Sequence, residues 1–131
     1  MTSYQWLFEI TSPLDRKLGF ELLEVTPTRA SGRYPVEGNT QPVGLWHGGA
    51  TGVVAETLAS LAAMAEVGPN GQVRGVELNA SHLHAARTGW VTGVATAEHI
   101  GRRLATYSVV LTDDEGEKVA VARVSVMLGR A

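Results

Sequence analysis

Between Gln41 and Ser60 the chain sets a glutamine, a histidine, two glycines, a glutamate and a serine at spacings that could do chemistry. Glu56 sits in the middle of an apolar run. An unpaired carboxylate buried there would cost roughly several kcal/mol, so it needs a partner, a shifted pKa or a task. As a task, it could attack a carbonyl carbon or activate water against one. Gly48, after His47 and before Gly49, would open a helix, where free amides and the dipole favour a developing oxyanion. The absent side chain would let a substrate approach closely. Gln41 and His47 could bind the carbonyl or orient the loop, and Ser60, one turn beyond Glu56, shares its helix face. Each residue also has a plainer reading. Glu56 could pair with an arginine across an interface, Gly48 could merely start the helix, and His47 could cap it. Ser60 could return its hydroxyl to the carbonyl four residues back.

These residues must be positioned by a helix running from His47 to about Glu66, the one long helical segment in a chain of β-type runs. Its body is small and apolar on nearly every side, the pattern of a helix buried all round. Gly68-Pro69-Asn70-Gly71 stops it. Before it, residues 1–10 could form a short amphipathic helix with Trp6, Leu7 and Ile10 on one side. Ser12-Pro13-Leu14 reads as an N-cap with proline at the first helical position, the turn ending near Gly19. Phe20 to Val36 reads as a strand pair or one bent strand, interrupted at Pro27 and at Ser31-Gly32, and Gly38 to Gly44 is a loop. After the helix, strands are expected at Val73–His84, Trp90–Ile100, Arg103–Thr112 and Lys118–Leu128, at the spacing of an antiparallel meander. Ala105, Tyr107, Val109 and Leu111 should face one way, as should Ala120, Ala122, Val124, Val126 and Leu128. The fold class is α+β: an antiparallel sheet wrapped around one helix, leaving a helix face and a sheet edge that a second copy could cover.

Composition bounds the function. A length of 131 residues suits one domain, spanning 1–131, and 44% apolar with 18% charged residues is globular. A formal charge of −2 with scattered arginines offers no footprint for nucleic acid. The absence of cysteine removes disulfides, thiolate zinc sites and cysteine nucleophiles. Met1 to Ile10 lacks the basic start and apolar core of a signal peptide. The central helix is expected to fall short of about 20 apolar residues and contains Glu56, so no membrane span and a cytoplasmic location are expected.

Gln41-Pro42-Val43-Gly44-Leu45-Trp46-His47-Gly48-Gly49, followed by Glu56 and Ser60, resembles the hotdog-fold acyl-CoA thioesterases of the phenylacetate-degradation (PaaI-like) and 4-hydroxybenzoyl-CoA type. The element order extends the resemblance over essentially the whole chain. It implies that His-Gly-Gly opens the central helix and that an acidic residue follows nine positions after the histidine. The hydroxyl residue one turn later, and the glutamine six before the histidine, mark the branch that uses glutamate. Glu56 would then be nucleophile or general base and the Gly48 amide the oxyanion donor, with Gln41, His47 and Ser60 in support. Glu98-His99-Ile100-Gly101-Arg102-Arg103 resembles the stretch that approaches CoA. The family is built from homodimers with composite sites, often paired into tetramers, and needs no metal or other cofactor. Glu56 stands about ten ångströms along the helix from its start. It would meet a carbonyl held at a helix N-terminus only if that helix belonged to a neighbouring subunit.

Arg102 and Arg103 suit phosphate by their guanidinium geometry, or form a solvated strand end. Gly49 and His82 join them as expected substrate or CoA contacts. His82 and His84 would share a strand face and with His99 invite a metal, but no carboxylate has ligand spacing. The expected activity is hydrolysis of an acyl-CoA thioester with an aromatic or medium acyl group. The alternatives are a proofreading thioesterase for carrier-protein-bound acyl groups and a non-catalytic acyl-CoA-binding hotdog protein. A hotdog hydratase would need an acid–histidine pair that the helix does not show.

Overall fold

The computed structural model describes residues 3–131; Met1 and Thr2, the start of the predicted N-terminal helix, lie outside the described residues. The elements are α1 (Gln5–Phe8), α2 (Pro13–Leu18), β1 (Glu21–Thr26), β2 (Arg29–Pro35), α3 (Gly48–Val67), β3 (Gln72–His82), β4 (Trp90–Ile100), β5 (Leu104–Thr112) and β6 (Lys118–Gly129). All strand pairs are antiparallel and form one six-stranded sheet in the order β1-β2-β4-β5-β6-β3. Inward-facing Tyr107, Val109, Leu111, Val124 and Val126 are fully buried against Val54, Leu58 and Ala62 of α3. Gly93 on β4 lets the helix come close: a Cβ there would stand 2.7 Å from Val54 and 2.8 Å from Leu58.

Several expectations change. The first helix is one turn; Leu7 is buried but Ile10 is exposed. Ser12 and Pro13 open α2 as expected, and Gly19 closes it with a left-handed backbone. Phe20 to Val36 is a hairpin that turns at Pro27, while Ser31-Gly32 continues inside β2, where the Phe20 ring packs on Gly32. The last four strands are not a simple meander: β4, β5 and β6 follow in order, but β3 pairs with β6 at the far edge. The segment after β3 passes over the N-terminal end of α3, where the Trp46 N–H donates to Ala86 O, and so delivers β4 to β2. This leaves β3 as a long edge strand with one side unpaired among the described residues.

The helix departs most from expectation. Twenty residues long, it matches a membrane span in length and apolar character. Its buried side is instead packed against the sheet, so it is the core of the fold. Nor is it buried all round. Gly52, Val53, Thr57, Ser60 and Met64 form a half-buried stripe around Glu56, which is exposed. The desolvation cost expected for a buried carboxylate therefore does not arise within one copy.

Candidate active site

His47 is the N-cap of α3, its Nδ1 accepting from the Gly49 N–H at 2.8 Å. That bond explains Gly49, because a Cβ there would crowd the ring at 3.0 Å. The imidazole therefore shows the capping role, with its neutral-form proton assigned to Nε2. Gly48 is the first helical residue and its N–H makes no backbone bond among the described residues, as the first turn requires. The His82 ring covers it, 3.1 Å from where a Gly48 Cβ would be. Gln41 folds its Oε1 back onto Val43 N–H (2.8 Å) and Leu45 N–H (3.2 Å), holding its own loop in shape. Gln41, Gly48 and His82 line one cleft of about 440 Å³.

Glu56 and Ser60 open into a different cleft of about 610 Å³, walled by Phe20, Leu61 and Met64 and by the α1 region. Ser60 makes no return bond to the carbonyl of Glu56 among the described side-chain bonds. The Glu56 carboxylate lies over Gly75 of β3. Asp15 lines this cleft too, accepting from Tyr34 Oη (2.5 Å) and Thr57 Oγ1 (2.9 Å) at Oδ1 and from Ser12 Oγ (2.5 Å) at Oδ2. Burial, then the hydrogen bond to Asp15 and its charge, raise Tyr34 well above the usual phenol range.

The expected residues thus fall into two groups. Eight positions separate Gly48 from Glu56, about 12 Å along the helix. Within one chain the candidate base and the candidate oxyanion donor open into separate clefts. Arg102 and Arg103 lie elsewhere. Arg130 ties the Gly101–Arg102 carbonyls to Glu66 near the C-terminal end of α3, far from Gly48. The three histidines do not converge either: His82 covers Gly48 and His84 contacts Asp113 at 3.3 Å, while β3 ends at His82 and the expected shared strand face is lost. Trp46 is a core residue, its indole donating to buried Thr51.

Gly75 and Asp15 were not expected. An isolated glycine inside a strand pattern signals close backbone approach, and Gly75 carried that signal. Asp15 has one local partner, Ser12, but its burial follows from long-range packing with Tyr34 and Thr57.

The thioesterase superfamily model matches residues 43–120. A proofreading thioesterase of Cronobacter sakazakii is 38% identical, over 83% of this chain and 75% of its own. The 1,4-dihydroxy-2-naphthoyl-CoA hydrolase of Listeria monocytogenes is 33% identical over 86% and 93%. Among solved structures, a thioesterase of Pseudomonas aeruginosa bearing a glutamine-to-alanine substitution superposes with a TM-score of 0.90 at 30% identity, covering 100% and 96%. With the six-stranded sheet wrapped around one long helix, these similarities establish that the chain belongs to the thioesterase superfamily, as a thioester hydrolase of hotdog fold.

Proposed function

We propose that the protein hydrolyses an acyl-CoA thioester at sites shared between two copies, with Glu56 of one copy facing Gly48 and Gln41 of the other. One observation carries this reading. On edge strand β3, Gly75 lies under Glu56 and His82 lies over Gly48, with Leu78 and Asn79 midway between them. Pairing two β3 edges antiparallel about a two-fold axis between Leu78 and Asn79 sets Gly75 of each copy opposite His82 of the other. That brings Glu56 toward the oxyanion donor of the second copy, twice per dimer. It also covers an unpaired edge that bears exposed Val76.

In such a site the thioester carbonyl oxygen points at the free Gly48 N–H, which stabilises negative charge as the tetrahedral intermediate forms. Glu56 takes a proton from water while that water bonds to the carbonyl carbon. Collapse breaks the C–S bond, and the proton passes to the CoA sulfur. Alternatively Glu56 bonds to the carbonyl carbon, expels CoA and leaves a mixed anhydride for water to open. A single turnover in ¹⁸O-water that labels the Glu56 carboxylate identifies the anhydride route, with water attacking the side-chain carbonyl. Ser60 orients the water or Glu56, Gln41 and His47 hold the donor loop, and Gly49 and His82 border the thioester arm. Contacts of Arg102 and Arg103 with CoA would have to come from another subunit. A dimer is the least assembly this site requires, and a tetramer is the further expectation. No metal or other cofactor is assigned to this chemistry.

The similarity to a proofreading thioesterase favours a second reading, in which the acyl group is delivered on a carrier protein. Measuring hydrolysis of the same acyl group on CoA and on a carrier protein tests the assignment. Faster turnover on CoA supports the first reading, faster turnover on the carrier the second, and no turnover of either across an acyl panel refutes both.

A further inference from the structure

Two histidines near the opening of α3 have their rings engaged: His47 caps the helix through Nδ1, and His84 contacts Asp113 through Nε2. His82 is different. Its Cε1 and Nε2 stand 3.1 and 3.2 Å from where a Gly48 Cβ would be, yet it makes no side-chain hydrogen bond or ion pair among the described residues. It is exposed, so no demand of the core accounts for it. Its place is nevertheless fixed. His82 pairs with Ala120 as the last residue of β3, and the Leu83 and His84 N–H groups both donate to Val119 O. A thioester whose carbonyl oxygen meets the Gly48 N–H carries its sulfur on the same carbon, which brings that sulfur beside the ring. Expulsion of an alkyl thiolate is assisted by a proton arriving at sulfur as the C–S bond breaks. Neither neighbour supplies one: Gln41 has its Oε1 turned onto its own loop, and a backbone N–H keeps its proton. Antiparallel pairing of the β3 edges sets His82 of one copy opposite Gly75 of the other, their Cα atoms about 4.5–5.5 Å apart. Glu56 lies over Gly75, so Glu56 of one copy faces His82 of the other.

We propose that His82 is the general acid of the reaction, protonating the sulfur as it leaves. This rests on the reading of the protein as a thioester hydrolase with Glu56 and Gly48 contributed by different copies. In the resting site His82 is protonated and paired with the Glu56 carboxylate. Glu56 takes a proton as water bonds to the carbonyl carbon. The oxyanion then re-forms the carbonyl, the C–S electron pair goes to sulfur, and the imidazolium proton follows it. Thiol and carboxylic acid depart, and Glu56 returns its proton to His82. In the anhydride route His82 releases the same proton when Glu56 displaces the thiol, and regains one from the water that opens the anhydride.

The test varies the leaving group. Benzoyl and octanoyl groups are each joined to N-acetylcysteamine, an alkyl thiol like that of CoA but without the nucleotide, and to thiophenol, whose thiolate leaves without a proton. In His82→Ala, kcat on the alkyl thioester should fall about 10²-fold while kcat on the phenyl thioester changes less than about threefold, the pattern of a lost general acid. Equal loss on both, a change confined to KM, or no change overturns the proposal. His82 is exposed at a strand end, so the variant should keep its fold, which circular dichroism checks. Mixed dimers of Glu56→Ala with His82→Ala should regain activity on the alkyl thioester, because one of their two sites is intact. Mixed dimers of Gly48→Val with His82→Ala should not, because each of their sites carries a defect. Leaving-group contrast without this recovery would remove the shared-site reading and keep the acid role of His82; recovery without contrast would do the reverse. A wild-type protein that cleaves none of these thioesters removes the hydrolase reading and the proposal with it.

Discussion

The Glu56 carboxylate rests on the backbone of Gly75: a Cβ added to Gly75 would stand 2.8 Å from Oε2 and 3.1 Å from Cδ. The edge strand thereby sets where the candidate base points. Gly75→Ala should push the carboxylate aside with little effect on folding, because the obstructed atoms are the end of a flexible side chain. Misplacement of this size costs about 10²-fold in rate. The expected result is a fall in kcat with a near-native melting temperature. An unchanged kcat would show that the position of Glu56 over β3 has no catalytic consequence.

Glu56 itself is exposed in the single chain and makes no ion pair among the described residues. Glu56→Ala should therefore leave the fold intact while lowering kcat by about 10²–10⁴-fold, the range for a lost general base. Circular dichroism and steady-state hydrolysis of a CoA thioester check the two halves together.

Packing of the helix on the sheet depends on Gly93. Gly93→Ala would drive a methyl group into Val54 and Leu58, both fully buried. Overpacking of this kind costs about 1–3 kcal/mol, readable as a lower midpoint in urea with an unchanged slope. Gly116, which has open space around it but a left-handed backbone, is no substitute control; Gly52, with open space and no such constraint, is.

Tyr107 links pH to stability. Burial, with the Glu66 carboxylate adding to it, pushes Tyr107 up to about 12, against about 10 for a free phenol. The folded state thus holds its proton more tightly than the unfolded chain. Stability from this group is complete below about pH 10 and is lost as pH rises toward 12. Thermal melts from pH 8 to 12 should show that decline, and Tyr107→Phe should make it shallower. An identical pH profile in the variant would rule out Tyr107 as a source.

Much of this was legible in the sequence because it is local. The His47-Gly48-Gly49 cap, the helix stop at Gly68, the hairpin around Asp113 to Gly116 and the alternation along β5 and β6 each follow from short-range rules. The place of β3 did not, since an edge pairing with β6 rather than β4 is decided by how the chain crosses the end of α3. The exposure of Glu56 was misread for a related reason. Alanine and glycine dominate α3, so a stripe as small and bland as the buried faces does not announce that the sheet leaves it open. The burial of Asp15 was not legible because two of its three partners come from β2 and α3.

Subunit complementation tests the shared site most directly. Glu56→Ala and Gly48→Val, each expected to be inactive alone, are co-expressed with different affinity tags. A mixed dimer then contains one site with both defects and one with neither. With random pairing, half the dimers are mixed and each has one intact site of two, so the total should recover about a quarter of wild-type activity per site. Purification through both tags should raise that to about half. Mixed dimers that form in full yield yet remain as inactive as either parent would contradict a site built from two copies.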